Sequence, residues 1–406
     1  MTMRSAFDDL LNDPDFIQHP YPVYRRLRES SPVYWSESWG CWILTRYEDI
    51  VGVLQDPSTF SSQGRVTNVI ERGYSVDFQT LVKPLLDHFK HGLINSDPPD
   101  HTRMRRLVQK SFLPRALEIL RPQIERMTDA LIQRGMKQAH FDVVKDLAYP
   151  LPVSVIAELL GVPPEMHDQF KEWTSAALVF QAVPKASQDT ILRSQSAIMA
   201  MRSYLENMVR DRRIQKKSDL ISELVEVEEV GEKLSQQELL STGVSLLVAG
   251  HETTTSLITS TIRCLAQHPE ALREVQEEDS LLMGAIEESL RFESPLQRVG
   301  RTVTRDIEVG DQTLKKGQSV LSFLGAANRD PAQFASPDRF DIHRSPNKHM
   351  AFGSGNHFCL GAALARMEAP IVVKKLLLAL PRFEVISSGK WQGGVMRGLE
   401  SLTLRV

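Results

Sequence analysis

Apolar and polar positions alternate along this chain with two different periods, and the change of period divides it. Over 97–294 apolar residues recur every three or four positions, the spacing that gathers them on one face of an α-helix. The pattern predicts helices through Leu117–Gln133, Val153–Leu160, Met166–Phe180, Ile191–Arg212 and Leu220–Val227. Asp97-Pro98-Pro99-Asp100 reads as a helix start with proline near the first turn, and the helix after it carries His101, Arg103, Arg105, Arg106 and Lys110. Ser235-Gln236-Gln237-Glu238 matches a capping box and opens a run that reaches His268, where Pro269 closes it. At about 1.5 Å per residue that helix is roughly 50 Å long, enough to cross a domain. Another helix is expected from Ser280 to Glu293. Elsewhere the period shortens. Val33–Trp35 and Cys41–Thr45 read as a strand pair about Trp39-Gly40, Thr302–Thr304, Ile307–Val309 and Ser319–Leu321 are β-prone, and the C-terminal stretch looks β. Residues 1–30 are turn-rich with a short helix through Val23–Arg28, and Glu48–Leu54 is a second short helix. Residues 61–95 read as irregular, a length that marks a functional or mobile segment, and 328–350 read as loop. The expected fold class is mainly α with smaller β sheets (α+β). One domain is expected over 1–406, with its β-rich part mainly at 30–60 and 297–406 and its helical part at 97–294.

Composition narrows the function. The chain has 406 residues, beyond the roughly 250–300 at which single cores stop growing, so length alone suggests two or more domains, or else one extended core anchored by a large buried cofactor. Hydrophobic residues at 42% and charged residues at 24% are ordinary for a globular protein. A formal net charge of -3 excludes general nucleic-acid binding, which shows a basic excess. Three cysteines, Cys41, Cys264 and Cys359, are too few for a disulfide framework and suit a reducing compartment. The N-terminal stretch has Asp8 and Asp9 where a signal peptide needs an apolar core, and no apolar run reaches the roughly 18–20 residues of a membrane span.

The chemistry concentrates in Phe352-Gly353-Ser354-Gly355-Asn356-His357-Phe358-Cys359-Leu360-Gly361, followed by the helix-forming Ala362–Glu368. Cys359 is thus expected at a helix start, on a loop that Gly353, Gly355 and Gly361 let fold tightly. Backbone N–H groups there favour a thiolate, which serves as a metal ligand or a nucleophile; a buried structural cysteine is the plainer alternative. Gly361 would let a large flat group lie against the backbone. A second constellation, Ala249-Gly250-His251-Glu252-Thr253-Thr254, lies inside the long helix, where glycine and threonine weaken the helix and Thr253 can bond back to the Ala249 carbonyl. Helix packing, with Gly250 letting a neighbour approach, is the plainer reading of these residues alone. Glu288 and Arg291 are three apart on one helix face and can pair.

The cysteine stretch resembles the haem-binding loop of the cytochrome P-450 superfamily, whose pattern Phe-x-x-Gly-x-x-x-Cys-x-Gly is complete here as Phe352, Gly355, Cys359 and Gly361. The resemblance implies the cytochrome P-450 fold, a long central helix over the haem, and a haem b (iron protoporphyrin IX) whose iron is held by the sulfur of Cys359. It also implies cofactor contacts from Phe352, Gly353 and Gly361. Ala249, Gly250, Glu252 and Thr253 match the family's Ala/Gly-Gly-x-Asp/Glu-Thr pattern, which places Ala249 and Gly250 beside the haem and makes Glu252 and Thr253 catalytic. Thr253 would hold dioxygen and a water, and Glu252 would connect them to bulk protons. His101, Arg105, Arg301 and His357 match the cations that neutralise the haem propionates. Glu288, Arg291 and Arg339 match a structural triad that locks the loop before the cysteine.

The implied activity is a monooxygenase inserting one atom of dioxygen into a lipophilic small molecule by hydroxylation or epoxidation. Electrons would come from a separate ferredoxin or flavodoxin with its reductase. The implied protein is a cytoplasmic monomer without a membrane anchor. Basic residues at Arg103, Arg106, Lys110, Arg344, Lys348 and Arg366 suggest a docking face for an acidic partner on the cysteine side. Pocket-facing positions implied by the resemblance are 61–95, Phe180–Val183, Leu246–Ala249, Leu296–Val299 and Val395–Met396. A haem-binding sensor without turnover, and a haem-thiolate peroxygenase or isomerase, are the alternatives. Glu252-Thr253 speaks against the sensor, which needs no proton delivery, and peroxygenase-type members lack that pair.

Overall fold

The structure, a computed structural model, describes residues 3–178, 180, 186–229 and 233–405. The chain opens with α1 (Met3–Asn12), α2 (Pro20–Ser30), β1 (Val33–Ser36), β2 (Cys41–Leu44), α3 (Tyr47–Gln55) and β3 (Phe60–Ser61). Three short helices follow, α4 (Thr67–Gly73), α5 (Val76–Leu81) and α6 (Lys83–Lys90). The stretch expected to be irregular is therefore largely helical, in pieces too short to show more than two helical turns of pattern. Next come α7 (Asp100–Val108), α8 (Pro114–Leu117), α9 (Arg121–Gly135), the short β4 (His140–Asp142), α10 (Pro150–Leu160), α11 (His167–Leu178), α12 (Gln188–Ile214) and α13 (Leu220–Glu229). The longest helix is α14 (Gln236–Gln267), begun by the expected capping box: the Ser235 hydroxyl accepts from the Glu238 N–H and the Glu238 carboxylate from the Ser235 N–H. Pro269 does not simply end it. It also starts α15 (Pro269–Glu277), where its missing N–H costs nothing.

The C-terminal part holds α16 (Leu282–Phe292), β5 (Val299–Val303), β6 (Ile307–Val309), β7 (Gln312–Leu314), β8 (Ser319–Ser322) and α17 (Leu324–Ala327). It ends with α18 (Ala362–Ala379), β9 (Glu384–Ser388), β10 (Trp391–Gly393), β11 (Arg397–Leu399) and β12 (Leu402–Arg405). The largest sheet has the order β1-β2-β8-β5-β3, so strands from both ends of the chain join, with β2 and β8 parallel (Cys41 opposite Ser319). A second sheet, β4-β12-β9, ties the middle of the chain to its end.

Two apolar cores flank α14. The C-terminal half of α14, with Leu257, Ile258, Ile262 and Leu265, packs with α16 and α18. Its N-terminal half, with Leu239, Leu240, Val244 and Leu247, packs with α10–α13. Between these buried halves, Ala249 is exposed. An exposed alanine midway along a helix enclosed at both ends marks open space inside the fold.

Candidate active site

The cysteine loop is fixed by its own backbone. The Cys359 N–H donates to the Phe352 carbonyl at 2.9 Å, the Gly353 N–H to Met350 at 2.9 Å, and the Phe358 N–H to Gly355 at 3.0 Å. Gly353 and Gly355 have φ of 70° and 67°, left-handed values that glycine adopts freely. At Gly355 a Cβ would also lie 2.3 Å from the Leu54 carbonyl oxygen, so the loop seats tightly against the end of α3. Gly361 differs: its φ is ordinary, at -83°, and a Cβ there would meet nothing within 4 Å. The absent side chain leaves an open cradle two residues beyond the sulfur, at the start of α18. Arg366 braces the loop from that helix. Its guanidinium donates to both oxygens of Glu287 at 2.7 and 2.8 Å and lies 4.5 Å from the centre of the Phe352 ring.

The turn does not by itself favour the thiolate, as the sequence suggested. Burial pushes the Cys359 thiol up, outweighing the N–H groups of Gly361 and Ala362 and the charges of Arg105 and Arg366. A bound metal reverses this balance, since a coordinating thiol is deprotonated outright.

The cations gather nearby. The His101 and His357 rings are 4.1 Å apart, and both ring nitrogens of His101 are buried without a hydrogen-bond partner. Burial and the charge of Arg105 pull His101 down to about 4, and burial, Arg301, His101 and Arg65 pull His357 down to about 2. Arg301 is buried, and among the described residues its side chain donates to the neighbouring Gly300 carbonyl at 2.8 Å. Burial pushes Arg301 down to about 10, with only Asp97 opposing it. Arg65, which sequence reasoning missed, belongs to the same group: burial and Arg301 bring it down to about 10, and its Nε donates to Asn95 at 2.8 Å. Unpaired cations are costly in a dry interior, and carboxylates are what would relieve them. The orphaned His101, the open cradle at Gly361 and this shortage of carboxylates fit a haem, with its flat ring and two carboxylates. Among the described residues no three His, Cys, Asp or Glu side chains cluster to hold a metal.

On α14, Thr253 Oγ1 donates to the Ala249 carbonyl at 3.0 Å, the back-bond expected from the sequence. Both residues keep open surface. Burial raises the Glu252 carboxyl to about 7. Gly250 shows the packing role that the sequence also allowed. A Cβ there would lie 3.1 Å from the Ile156 side chain, so Gly250 lets α10 pack closely.

The loop before the cysteine is locked by Glu288 and Arg291, both side chains 0% exposed, paired through Nε–Oε2 at 2.8 Å and Nη2–Oε1 at 2.7 Å. Arg291 also donates to the carbonyls of Asn328, Pro337 and Arg339 at 2.9, 2.7 and 3.0 Å. The third side chain of the cluster is Arg344, not Arg339. Arg344 Nε lies 3.1 Å from Glu288, while Arg339 is exposed and contributes only its carbonyl. The two arginines sit five apart in irregular chain, where no periodicity says which one turns inward.

The basic residues expected on a docking face are also partly committed. Arg103 pairs with Glu238, Arg344 with Glu288 and Arg366 with Glu287, which leaves Lys110 and Lys348 among the exposed ones. Of the pocket-facing positions, 181–183 lie outside the described residues.

A sulfur fixed beside an open cradle, near cations short of carboxylates, in a fold whose longest helix carries an acid-hydroxyl pair, fits a haem-thiolate oxygenase. The cytochrome P450 family model matches residues 69–390, and the chain belongs to that family. It is 40% identical to cytochrome P450 107B1 of Saccharopolyspora erythraea, over 100% of this chain and 99% of that one. It is 36% identical to the cytochrome P450 monooxygenase PikC of Streptomyces venezuelae, over 96% and 92%. Among solved structures it is similar to P450BioI in complex with hexadec-9Z-enoic acid ligated acyl carrier protein, with TM-score 0.89 and 34% identity over 97% of this chain and 99% of that one. The chain is thus a P450 monooxygenase, a haem enzyme that uses dioxygen and redox partners. Among the described residues no helix is long and apolar enough to cross a membrane.

Proposed function

We propose that this monooxygenase holds haem b through Cys359 and oxidises a lipophilic small molecule in the space between the cysteine loop and the middle of α14. The observation that carries this is the fixed Cys359 beside the open cradle at Gly361, with His101, Arg105, Arg301 and His357 gathered nearby and short of carboxylate partners. Non-covalent haem b suits the cysteine count, because Cys41 and Cys264 are buried and no Cys-x-x-Cys-His attachment motif exists.

Bound there, the haem supplies dioxygen activation and insertion of one oxygen atom into the substrate. The protein supplies protons and placement. The Thr253 hydroxyl hydrogen is committed to the Ala249 carbonyl, so its oxygen is left to accept a hydrogen bond from a water in the open space. Glu252, raised to about 7, can hold a proton at neutral pH and give it up to that water, the poise a general acid needs. Electrons arrive from a ferredoxin or flavodoxin, for which exposed Lys110 and Lys348 offer positive charge. The chain acts as a single-domain cytoplasmic monomer. A solved relative binds a fatty acyl chain on its carrier protein, and CYP109E1 of Bacillus megaterium, 34% identical with TM-score 0.88 over 97% of this chain and 99% of that one, binds testosterone. Both support a lipophilic substrate here.

The test is turnover of the haem-loaded enzyme with a ferredoxin, its reductase and ¹⁸O-labelled dioxygen, using hexadec-9Z-enoic acid and testosterone as probes. One labelled oxygen per product molecule, strictly dependent on reductant, is expected. Product formed with hydrogen peroxide alone, and not with dioxygen and reductant, would assign a peroxygenase.

A further inference from the structure

Arg65 is given no role in the proposed function. It sits just after β3, at the start of the segment that runs to α7. The base of that segment is cross-tied. The Ser62 N–H donates to Asp97 at 2.8 Å, Ser61 also bonds Asp97, and the Ser62 hydroxyl meets His357 Nε2 at 2.9 Å. Arg65 is held in this base by buried Asn95, a neutral acceptor that uses one of its five N–H groups. Its neighbour across the junction with β5 is Arg301: a Cβ built on Gly300 lies 3.8 Å from the Arg65 Cβ, and burial and Arg301 together depress Arg65. Arg301 likewise spends one N–H, on a main-chain carbonyl. Among the described residues neither guanidinium has a carboxylate partner, yet none of their nitrogens is sealed in protein without an acceptor. The idle N–H groups therefore face space. The charges of Arg65, Arg301 and Arg105 all act on His357, and Asp97, already bonded to Ser61 and Ser62, is the nearby carboxylate.

We infer that Arg65 is a carboxylate-binding residue, whose fixed guanidinium takes a carboxylate entering the space between β5 and the 61–97 segment. That carboxylate comes either from the haem edge or from an acidic substrate, and the inference rests on the haem-thiolate reading above. Planar, bidentate pairing is what a held guanidinium with free parallel N–H groups provides.

The test compares haem-loaded wild type, Arg65→Gln and Arg65→Lys. In one arm each is titrated spectrally with hexadec-9Z-enoic acid and with its methyl ester. In the other, haem transfer to apomyoglobin and the iron reduction potential are measured. If the substrate supplies the carboxylate, wild type prefers acid over ester, and Arg65→Gln loses about tenfold of that preference. If the haem supplies it, Arg65→Gln releases haem about tenfold faster and its potential falls, with acid and ester unchanged. Arg65→Lys keeps the charge without the fork and is expected between the two; should the glutamine variant not fold, lysine against wild type decides. Variants matching wild type in both arms would overturn the inference. The ferrous carbonyl spectrum of each protein separates the two levels, since a thiolate-type band in a variant unchanged in both arms removes the role of Arg65 and leaves the haem-thiolate reading standing.

Discussion

Replacing Glu288 by glutamine should cost more stability than almost any other single change in the loop before the cysteine. The carboxylate is fully buried and accepts from Arg291 Nε and Nη2, Arg344 Nε, the Asp341 N–H and Asn347 Nδ2, at 2.7–3.2 Å. An amide keeps the shape but removes the charge, and its NH₂ group faces donors. Arg291 is then a buried cation without its paired anion, still tethered to three carbonyls. Breaking one side of such a pair costs about 3–5 kcal/mol, a large part of the roughly 5–15 kcal/mol that holds a typical protein folded. With a urea dependence of about 3 kcal/mol per M or more for a chain of this size, the midpoint should fall by about 1 M. The assay is urea unfolding of the haem-loaded enzyme, followed by helical circular dichroism and by the Soret band. The Soret change should come first, because Arg291 holds the carbonyls of Asn328, Pro337 and Arg339 on the path to Cys359. Arg339→Ala should lie within about 0.5 kcal/mol of wild type, as an exposed side chain does, while Arg344→Ala is clearly destabilised. A Glu288→Gln midpoint within about 0.2 M of wild type, or Arg339→Ala more damaging than Arg344→Ala, would refute the reasoning.

Thr253→Ala should keep haem content and substrate binding while product per reductant falls and hydrogen peroxide rises; full coupling would show that another hydroxyl positions the water. Glu252→Gln should slow the whole cycle by about 10²–10⁴. It should also remove a pH limb with an apparent pKa near 7, above which the wild-type carboxyl no longer carries the proton it gives. Glu287 supplies an acid-labile brace. Burial raises its carboxyl, but hydrogen bonds from Arg366 and His349 outweigh burial and bring it down to about 2. Its folded value lies below the unfolded one near 4.5, so its contribution, about 3 kcal/mol, is present above that pH and lost as pH falls towards 2. Urea midpoints from pH 6 to 3 should show a drop that Glu287→Gln lacks, and parallel curves would contradict it.

Much of the site was legible because its chemistry is local. The glycines around Cys359, the capping box at Ser235 and the Thr253 back-bond depend on residues a few positions apart, and each is found where the pattern put it. What failed depends on distant packing. The helices over 67–90 have six to eight residues each, too few for a period to stand out. Strand β4 has three residues and pairs with β12 some 260 positions away, so no local signal announces it. The approach of Ile156 to Gly250 comes from a helix some ninety positions away, which no local pattern announces. Arg65 is a lone arginine in an undistinguished stretch, given meaning by Arg301 and Asn95, which the fold brings beside it.

The central claim is that the sulfur of Cys359 is the iron ligand, and the ferrous carbonyl spectrum tests it most directly. The wild-type adduct should show the strongly red-shifted Soret band of thiolate ligation. Cys359→His should lose that band while still binding haem, because the cations proposed to receive its carboxylates remain in place. A Cys359→His protein that keeps the red-shifted band would mean that another residue ligates the iron, and the account of the site would fall with it.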